Sequence, residues 1–163
     1  MKEQGLYIIK QDFLDLVLSL GGNCDIANGT RRPVYCCLKD SIIEGLYWAI
    51  PTSDLNHRSP AQISKYYDYI QKPDDDLRSC YYHIGRTTKS ALYKISSCFP
   101  ITDKYIDHEF TTNGVHVIIR RAETVKEIRR KLARILAFES RRPNYFSQHI
   151  SDIKNYLVTE LQE

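Results

Sequence analysis

Residues 47–58 read YWAIPTSDLNHR, and this stretch determines how we expect the rest of the chain to be arranged. Its first four residues are apolar and predict a buried strand, which Pro51 then interrupts. Two hydroxyl residues, Thr52 and Ser53, follow at once, and a histidine and an arginine complete the stretch. Because proline is poorly tolerated inside a strand, we expect the strand to end there and to present a reactive loop. The alternative is an ordinary turn, since Thr, Ser, Asp and Asn side chains bond to their own backbone in turns.

The composition is that of an ordinary soluble globular domain. The chain has 163 residues, 42% of them hydrophobic and 26% charged, which predicts one domain over residues 1–163 with a buried core. It contains no apolar run of about 18 residues, so we expect no membrane span, and its N-terminus does not resemble a signal peptide. The five cysteines are odd in number and show no C-x-x-C spacing, which favours buried thiols over a zinc site. This cysteine usage agrees with a reducing compartment, so we expect a cytoplasmic location.

The positive charge is concentrated in one segment. Residues 120–142 hold nine Lys or Arg against three Glu, a net charge of +6 in a chain whose total is +3. Such a basic patch suits a polyanion, RNA first among them, although a basic helix face that is merely solvated is an equally good explanation. On the first interpretation the RNA-binding residues in this segment are Arg120, Lys126, Arg129, Arg130 and Arg134.

The hydrophobic pattern predicts an α+β protein. Short alternating or apolar runs indicate five or six strands, and the short connection at residues 40–44 makes two of them an antiparallel hairpin. We expect a compact, strongly curved antiparallel sheet or partial barrel, with helices packed on it. The predicted strands cover residues 6–9, 34–39, 45–50, 79–84, 91–97 and 115–119.

Four helices are predicted. The first starts near residue 12 and stops at the glycine pair 21–22, and the second is opened by a capping box at Ser59. Two more close the chain, with Thr124 and Ser147 as their expected caps. The third helix carries its apolar side chains at helical spacing, at Val125, Ile128, Leu132, Ile135 and Leu136.

The order of these elements resembles the ToxN/AbiQ family, the RNase toxins of type III toxin–antitoxin systems, and is closest to its CptN branch. The matching pieces are residues 6–20, 32–53 and 94–101, about a third of the chain. The most specific of them is the aromatic-Ala-x-Pro-Thr-Ser pattern that ends at Ser53.

The resemblance implies both a fold and a function. The fold is a compact barrel related to the MazF/Kid toxins. The activity is cleavage of single-stranded cellular mRNA without a metal or cofactor, by attack of the 2′-hydroxyl, leaving a 2′,3′-cyclic phosphate and a 5′-hydroxyl. The inhibitor is a folded RNA pseudoknot in a closed protein–RNA complex of alternating subunits, and no protein antitoxin is expected.

The resemblance also implies site residues. The family's hydroxyl pair falls on Thr52 and Ser53, and its lysine before the hairpin strand falls near Arg32. The basic residues that follow the hydroxyl pair in the family are absent here, and the next candidates are His57 and Arg58.

Metal-free RNA cleavage needs a proton acceptor, a proton donor and groups that hold the phosphate charge. His57 is the natural acid or base, because an unperturbed imidazole titrates near neutral pH. Arg32 and Arg58 are expected to hold the phosphate, and Thr52 and Ser53 to donate hydrogen bonds to its oxygens. We therefore expect Thr52, Ser53, His57 and Arg32 to be the catalytic residues.

Other RNA contacts are expected from a polar loop at residues 86–90, which supplies Arg86 and Lys89, although a simple turn fits it equally well. Arg31 and Arg58 lie close to the catalytic candidates in sequence. Most tyrosines are expected in the core or on the sheet, and one or two, such as Tyr93, on a surface that stacks unpaired bases. Two further histidines, His83 and His116, lie in predicted strands and are expected to be structural.

Three classes of function remain open. The first is the endoribonuclease toxin. The second is a non-catalytic RNA-binding barrel, which tolerates the loss of His57 and Ser53 but not charge reversal in the basic helix. The third is a protein-interaction module whose basic helix meets an acidic partner.

Overall fold

The computed structural model describes residues 1–24 and 32–163, with the side chains of residues 36 and 37 left out, and it confirms the α+β class. The predicted RNA contact Arg31 lies outside these described residues. The helices are α1 Gln11–Ser19, α2 Pro60–Ile70, α3 Ala122–Arg141 and α4 Ile150–Gln162. The strands are β1 Gly5–Ile9, β2 Val34–Lys39, β3 Tyr47–Asp54, β4 Tyr82–Arg86, β5 Ser90–Lys94, β6 Phe99–Ile101, β7 Ile106–Glu109, β8 Thr111–Thr112 and β9 Val115–His116.

The strands form an antiparallel sheet organised around β3. Seven strands pair in the order β4-β5-β3-β2-β1-β7, with β6 as an additional neighbour of β3, while β8 and β9 form a separate two-stranded hairpin. The predicted hairpin of β2 and β3 is confirmed, with Val34 opposite Pro51 and Lys39 opposite Tyr47. Among the described strands, β4 and β7 end the path and do not pair with each other.

The strand β3 continues past Pro51, so the prediction that it ends there was wrong. On one side β3 pairs with β6 as far as Ala49, and with β5 from Thr52 onward. Pro51 falls between these two ladders, where the missing proline N–H removes no hydrogen bond to either neighbour. As a result, the hydroxyl pair lies within the sheet rather than on a loop.

Of the three predicted helix caps, one is present and two are not. The capping box at Ser59 is present, because its hydroxyl accepts from the backbone N–H of Gln62 and the Gln62 side chain accepts from the backbone N–H of Ser59. The capping role predicted for Thr124 was wrong: α3 begins at Ala122, and Thr124 is buried inside its first turn. The capping position before α4 is His149, not Ser147 as predicted, and His149 adopts a left-handed conformation with φ 59°.

The core lies on both sides of the sheet and is covered by the helices. The predicted stripe of α3 is confirmed, with Val125, Ile128, Leu132 and Ile135 buried. Of the cysteines whose side chains are described, Cys80 and Cys98 are buried as predicted, whereas Cys24 is only half-buried. None of the described helices combines the length and the apolar character needed to cross a membrane.

Three predicted strands are shorter or shifted. Residues 77–80 form a 3-10 turn instead of a strand, and β4 starts only at Tyr82. The strand predicted over residues 91–97 ends at Lys94, where a second 3-10 turn begins. Of residues 115–119 only the first two form a strand, although Ile118 makes an isolated bridge to Gly5.

Candidate functional site: a cavity at the end of β3

The last residues of β3 are held firmly by β5. Thr52 lies opposite Tyr93, Ser53 opposite Leu92 and Asp54 opposite Ala91. Thr52 and Ser53 are only 7% and 5% exposed. The backbone on which the predicted site depends is thus part of the sheet, which fixes its side chains better than a loop does.

Two guanidinium groups converge on the hydroxyl of Ser53. Its Oγ accepts from Nη1 of Arg32 at 3.2 Å and from Nη2 of Arg58 at 2.9 Å. A serine oxygen has two lone pairs, so both are used and its hydrogen remains available for another acceptor. Two cations aimed at one neutral oxygen create a strongly positive point, which favours an anionic ligand beside Ser53.

The hydroxyl of Thr52 makes a structural hydrogen bond to the backbone. Its Oγ1 donates to the backbone carbonyl of Pro33 at 2.7 Å. This bond ties the end of β3 to the residue that directly follows Arg32, and so it fixes the point from which the Arg32 side chain reaches Ser53. The predicted bond from Thr52 to a phosphate oxygen is not available in this arrangement, because the hydroxyl hydrogen is already donated.

A cavity of about 240 Å³ opens over these residues. It brings together four of the predicted site residues, Arg32, Thr52, Ser53 and Lys89, which come from three different segments of the chain. Of the remaining predicted residues near it, His57, Arg58 and Arg86 do not line the cavity. Its other walls are formed by Pro33, Asp54, Thr87, Thr88, Ser90, Ala91 and Phe110.

Sequence reasoning gave no role to Asp54, although this residue connects several parts of the site. Its Oδ2 lies 2.6 Å from Nζ of Lys89 and 3.5 Å from Nε2 of His57. The hydrogen bond from Lys89, followed by that from the backbone N–H of Asn56, holds the pKa of the Asp54 carboxyl below its ordinary value. The spacing of Asp54 and His57, three residues apart as in a capped turn, is the sequence signal that could have indicated their contact.

The predicted acid or base His57 lies at the edge of the site rather than inside it. It ends a 3-10 turn over Leu55–His57, and its side chain is 84% exposed. Arg58, which follows, turns back to Ser53. This places the exposed imidazole beside Asp54, at the edge of the cavity that Asp54 lines.

Tyr93 is a core residue, and the prediction that it contacts RNA is corrected. Its ring is fully buried and packs edge-on against Tyr35, with 5.4 Å between the ring centroids. Its hydroxyl donates to the backbone carbonyl of Arg86 at 2.9 Å, and burial raises its pKa well above the ordinary value. Tyr93 therefore stabilises the end of β3, where it pairs with Thr52, and the β4–β5 hairpin, where it bonds to Arg86.

The neighbouring His83 is structural, as expected. It pairs across the strands with Tyr93, and the two ring centroids are 5.9 Å apart. Burial, and secondarily the charge of Lys131, lower the pKa of His83 to about 4. The imidazole is therefore neutral at physiological pH. His116 is also structural, with Nε2 2.9 Å from the carbonyl of Leu6.

The basic helix α3 is less free than its sequence indicates. Arg129 pairs with Glu3 at 3.0 Å and Arg130 with Glu127 at 3.1 Å. Arg134 donates to the sulfur of Cys80 at 3.4 Å. These three predicted RNA contacts are thus already engaged within the described residues.

Two predicted cations on and near α3 remain accessible. Arg120 and Lys126 are exposed and have no carboxylate partner within residues 1–24 and 32–163. Neither residue lines the cavity. The charge of Lys131, which was not assigned to RNA binding, is buried, and its Nζ donates to the carbonyl of Tyr82 at 2.8 Å.

Comparison with models of known protein families matched none of them, and no curated protein sequence is significantly similar to this chain. Within residues 1–24 and 32–163, no three His, Cys, Asp or Glu side chains are grouped so that they could hold a metal ion. A proposal for function therefore rests on the cavity beside Ser53 and on the resemblance carried by residues 47–53.

Proposed function

We propose that this protein is a metal-independent endoribonuclease toxin of a type III toxin–antitoxin system, which cleaves single-stranded RNA. The observation that carries the proposal is the convergence of Arg32 and Arg58 on the Ser53 hydroxyl, at the wall of an open cavity that Lys89 also lines. Two guanidinium groups on one hydroxyl, with the Lys89 ammonium lining the same cavity, match the charge and the hydrogen-bonding needs of a phosphodiester group.

The reaction that fits these groups begins with attack of the ribose 2′-oxygen on the adjacent phosphorus. The bond from phosphorus to the 5′-oxygen breaks, which leaves a 2′,3′-cyclic phosphate and a 5′-hydroxyl. Arg32, Arg58 and the Ser53 hydroxyl stabilise the charge that develops on the phosphate oxygens. His57 carries one of the two protons, either from the 2′-hydroxyl or to the departing 5′-oxygen, and solvent water carries the other. Proton transfer of this kind typically contributes about 10²–10⁴-fold.

The proposal includes kinship with the MazF/Kid barrel. It is supported by the way β3 exchanges partners at Pro51, pairing with β6 before that residue and with β5 after it. A strand that belongs to two ladders forces the sheet to bend around it, as in small barrel-like folds.

The proposed partners are cellular mRNA as substrate and an RNA pseudoknot as inhibitor, in a closed protein–RNA complex in the cytoplasm without a protein antitoxin. The exposed cations Arg86, Arg120 and Lys126 support this part of the proposal, because they can contact a phosphate backbone. Short tandem repeats next to the gene are expected as the source of the inhibitor.

The experiment that tests the function is induced expression, with growth and RNA ends recorded together. We compare wild type alone, wild type with its neighbouring repeats, Ser53→Ala, and Ser147→Ala as a control at an exposed serine. Wild type and Ser147→Ala should arrest growth and create RNA ends that bear 5′-hydroxyls. Ser53→Ala and co-expression of the repeats should both relieve the arrest.

A folded wild type that causes no arrest and creates no RNA ends overturns the proposal. If that protein still binds RNA, the non-catalytic RNA-binding function replaces it. If it purifies without nucleic acid and binds none, the protein-interaction function does so.

A further inference from the structure

We propose that Asp54 is the positioning residue of this site, and that its carboxylate holds Lys89 and His57 side by side next to Ser53. The inference rests on the proposed RNA cleavage. Asp54 had no predicted role, and its contact makes Lys89 a phosphate-facing group of the reaction centre rather than a general RNA contact.

The orientation of the Asp54 carboxylate is fixed by the backbone. Its Oδ1 accepts from the backbone N–H of Asn56 at 2.8 Å and so caps the 3-10 turn that follows β3. Leu55, only 7% exposed, anchors the same turn in the core. Because one oxygen is committed to the turn, Oδ2 is left for side chains, and His57, three residues along the chain, reaches it at 3.5 Å.

Lys89 reaches the same oxygen from a different segment. Asp54 and Ala91 form the last pair of the ladder between β3 and β5, so the tip of the β4–β5 hairpin projects just beyond Asp54. The backbone N–H of Thr87 donates to the carbonyl of Lys89 at 3.0 Å and closes this tip. Nζ of Lys89 then lies 2.6 Å from Oδ2, while the side chain also lines the cavity.

Charges near this carboxylate determine what its loss should do. Lys89 and His57 face it directly, whereas Arg58 and Arg32 turn to Ser53 instead. Among the described residues that line the cavity, Asp54 is the only acidic one. Without its negative charge, Lys89 loses the carboxylate that holds it at the cavity, and the His57 side chain loses the oxygen it contacts at 3.5 Å.

The test is Asp54→Asn, measured as single-turnover RNA cleavage at one fixed pH. Asparagine keeps an oxygen that can accept from the N–H of Asn56, so the turn remains capped, but it removes the charge. The matched control is Asp76→Asn. Asp76 also caps a 3-10 turn and pairs with a cation, Arg78 at 2.8 Å, but it does not line the cavity.

We expect Asp54→Asn to slow cleavage about tenfold or more, as part of the acid–base contribution is lost. Asp54→Glu, which keeps the negative charge, should recover part of the rate. In NMR spectra at one fixed pH, the ring signals of His57 and the Nζ signal of Lys89 should shift in Asp54→Asn, because both side chains lose their contact with Oδ2. Asp76→Asn should keep the rate and these signals of the wild type.

The proposal is overturned if Asp54→Asn cleaves as fast as the wild type, or if Asp76→Asn slows cleavage equally. Unchanged His57 and Lys89 signals in Asp54→Asn also overturn it, without any need for activity. If those signals shift but the folded wild type cleaves no RNA, the proposed function is contradicted instead, and with it the catalytic role of this carboxylate.

Discussion

Arg32 and Arg58 donate to the same atom, the Oγ of Ser53, at 3.2 and 2.9 Å. Arg32 lies two residues before β2 and Arg58 follows the turn after β3, so only the folded hairpin brings them together. Guanidinium groups repel each other unless an electron-rich atom lies between them. The Ser53 oxygen fills that position in the free protein, and a phosphate oxygen close to it would do so more strongly.

The forked geometry of these arginines should matter as much as their charge. Arg32→Lys and Arg58→Lys should each weaken binding of a non-cleavable RNA about tenfold, because lysine cannot donate two parallel hydrogen bonds. The slope of the logarithm of RNA affinity against the logarithm of salt concentration should stay the same in these variants, because the charge is kept. Arg→Ala at either position should reduce the magnitude of that slope by about one. Arg78→Lys is the control, since Arg78 is engaged with Asp76. Equal affinity of the lysine variants and wild type contradicts the prediction.

The loss of His57 should affect chemistry and leave the fold intact, because its side chain is 84% exposed. His57→Ala should reduce the rate of RNA cleavage about 10²–10⁴-fold with little change in melting temperature. His108→Ala is a suitable comparison, because His108 is also exposed and also paired with a neighbouring aspartate, Asp107. A His57→Ala variant that cleaves as fast as His108→Ala shows that another group carries the proton.

Charge reversal along α3 should separate RNA contacts from internal ion pairs. Lys126→Glu should weaken RNA binding without loss of stability, since Lys126 is exposed and has no acidic partner in the described chain. Arg129→Glu should lower the free energy of unfolding by about 1 kcal/mol, because it breaks the pair with Glu3 and replaces attraction by repulsion. Denaturant unfolding and RNA binding of both variants check this. Equal effects of the two variants on stability contradict it.

The protein should lose stability in mild acid through His83. The pKa of this imidazole is about 4 in the folded state, below the ordinary value of 6.5, so between those values the unfolded chain binds more protons. The contribution of His83 to the free energy of unfolding is therefore fully present above about pH 6.5. It decreases as the pH falls toward 4, by about 2 kcal/mol for a partly screened group. His83→Gln should flatten this part of the curve of unfolding free energy against pH. An unchanged curve contradicts the assignment.

Local signals predicted much of the fold. The β2–β3 hairpin, the capping box of α2 and the buried stripe of α3 depend on residues close together in sequence, and all three are confirmed. The end of β3 was missed because a proline usually ends a strand. Only the exchange of partners between β6 and β5, a tertiary feature, makes Pro51 harmless.

The site was predicted only in part, because its residue types are visible in the sequence but its tertiary contacts are not. Arg32 and Ser53 were expected at the site from the resemblance and Lys89 as an RNA contact in a polar loop, and the structure places all three at one cavity. The role of Asp54 was not visible, because its partner Lys89 comes from another hairpin. Tyr93 was misassigned because sequence alone does not distinguish a buried tyrosine from one that stacks a base.

The most direct test of the central claim is cleavage by the purified protein of two matched RNAs in excess EDTA. One is natural RNA, and the other carries 2′-deoxyribose at the mapped cleavage position. The protein should cut the first, leaving a 2′,3′-cyclic phosphate and a 5′-hydroxyl, and it should bind but not cut the second. Cleavage of the deoxy-substituted RNA at that position, or a requirement for a metal ion, would contradict attack by the 2′-hydroxyl at the Ser53 cavity.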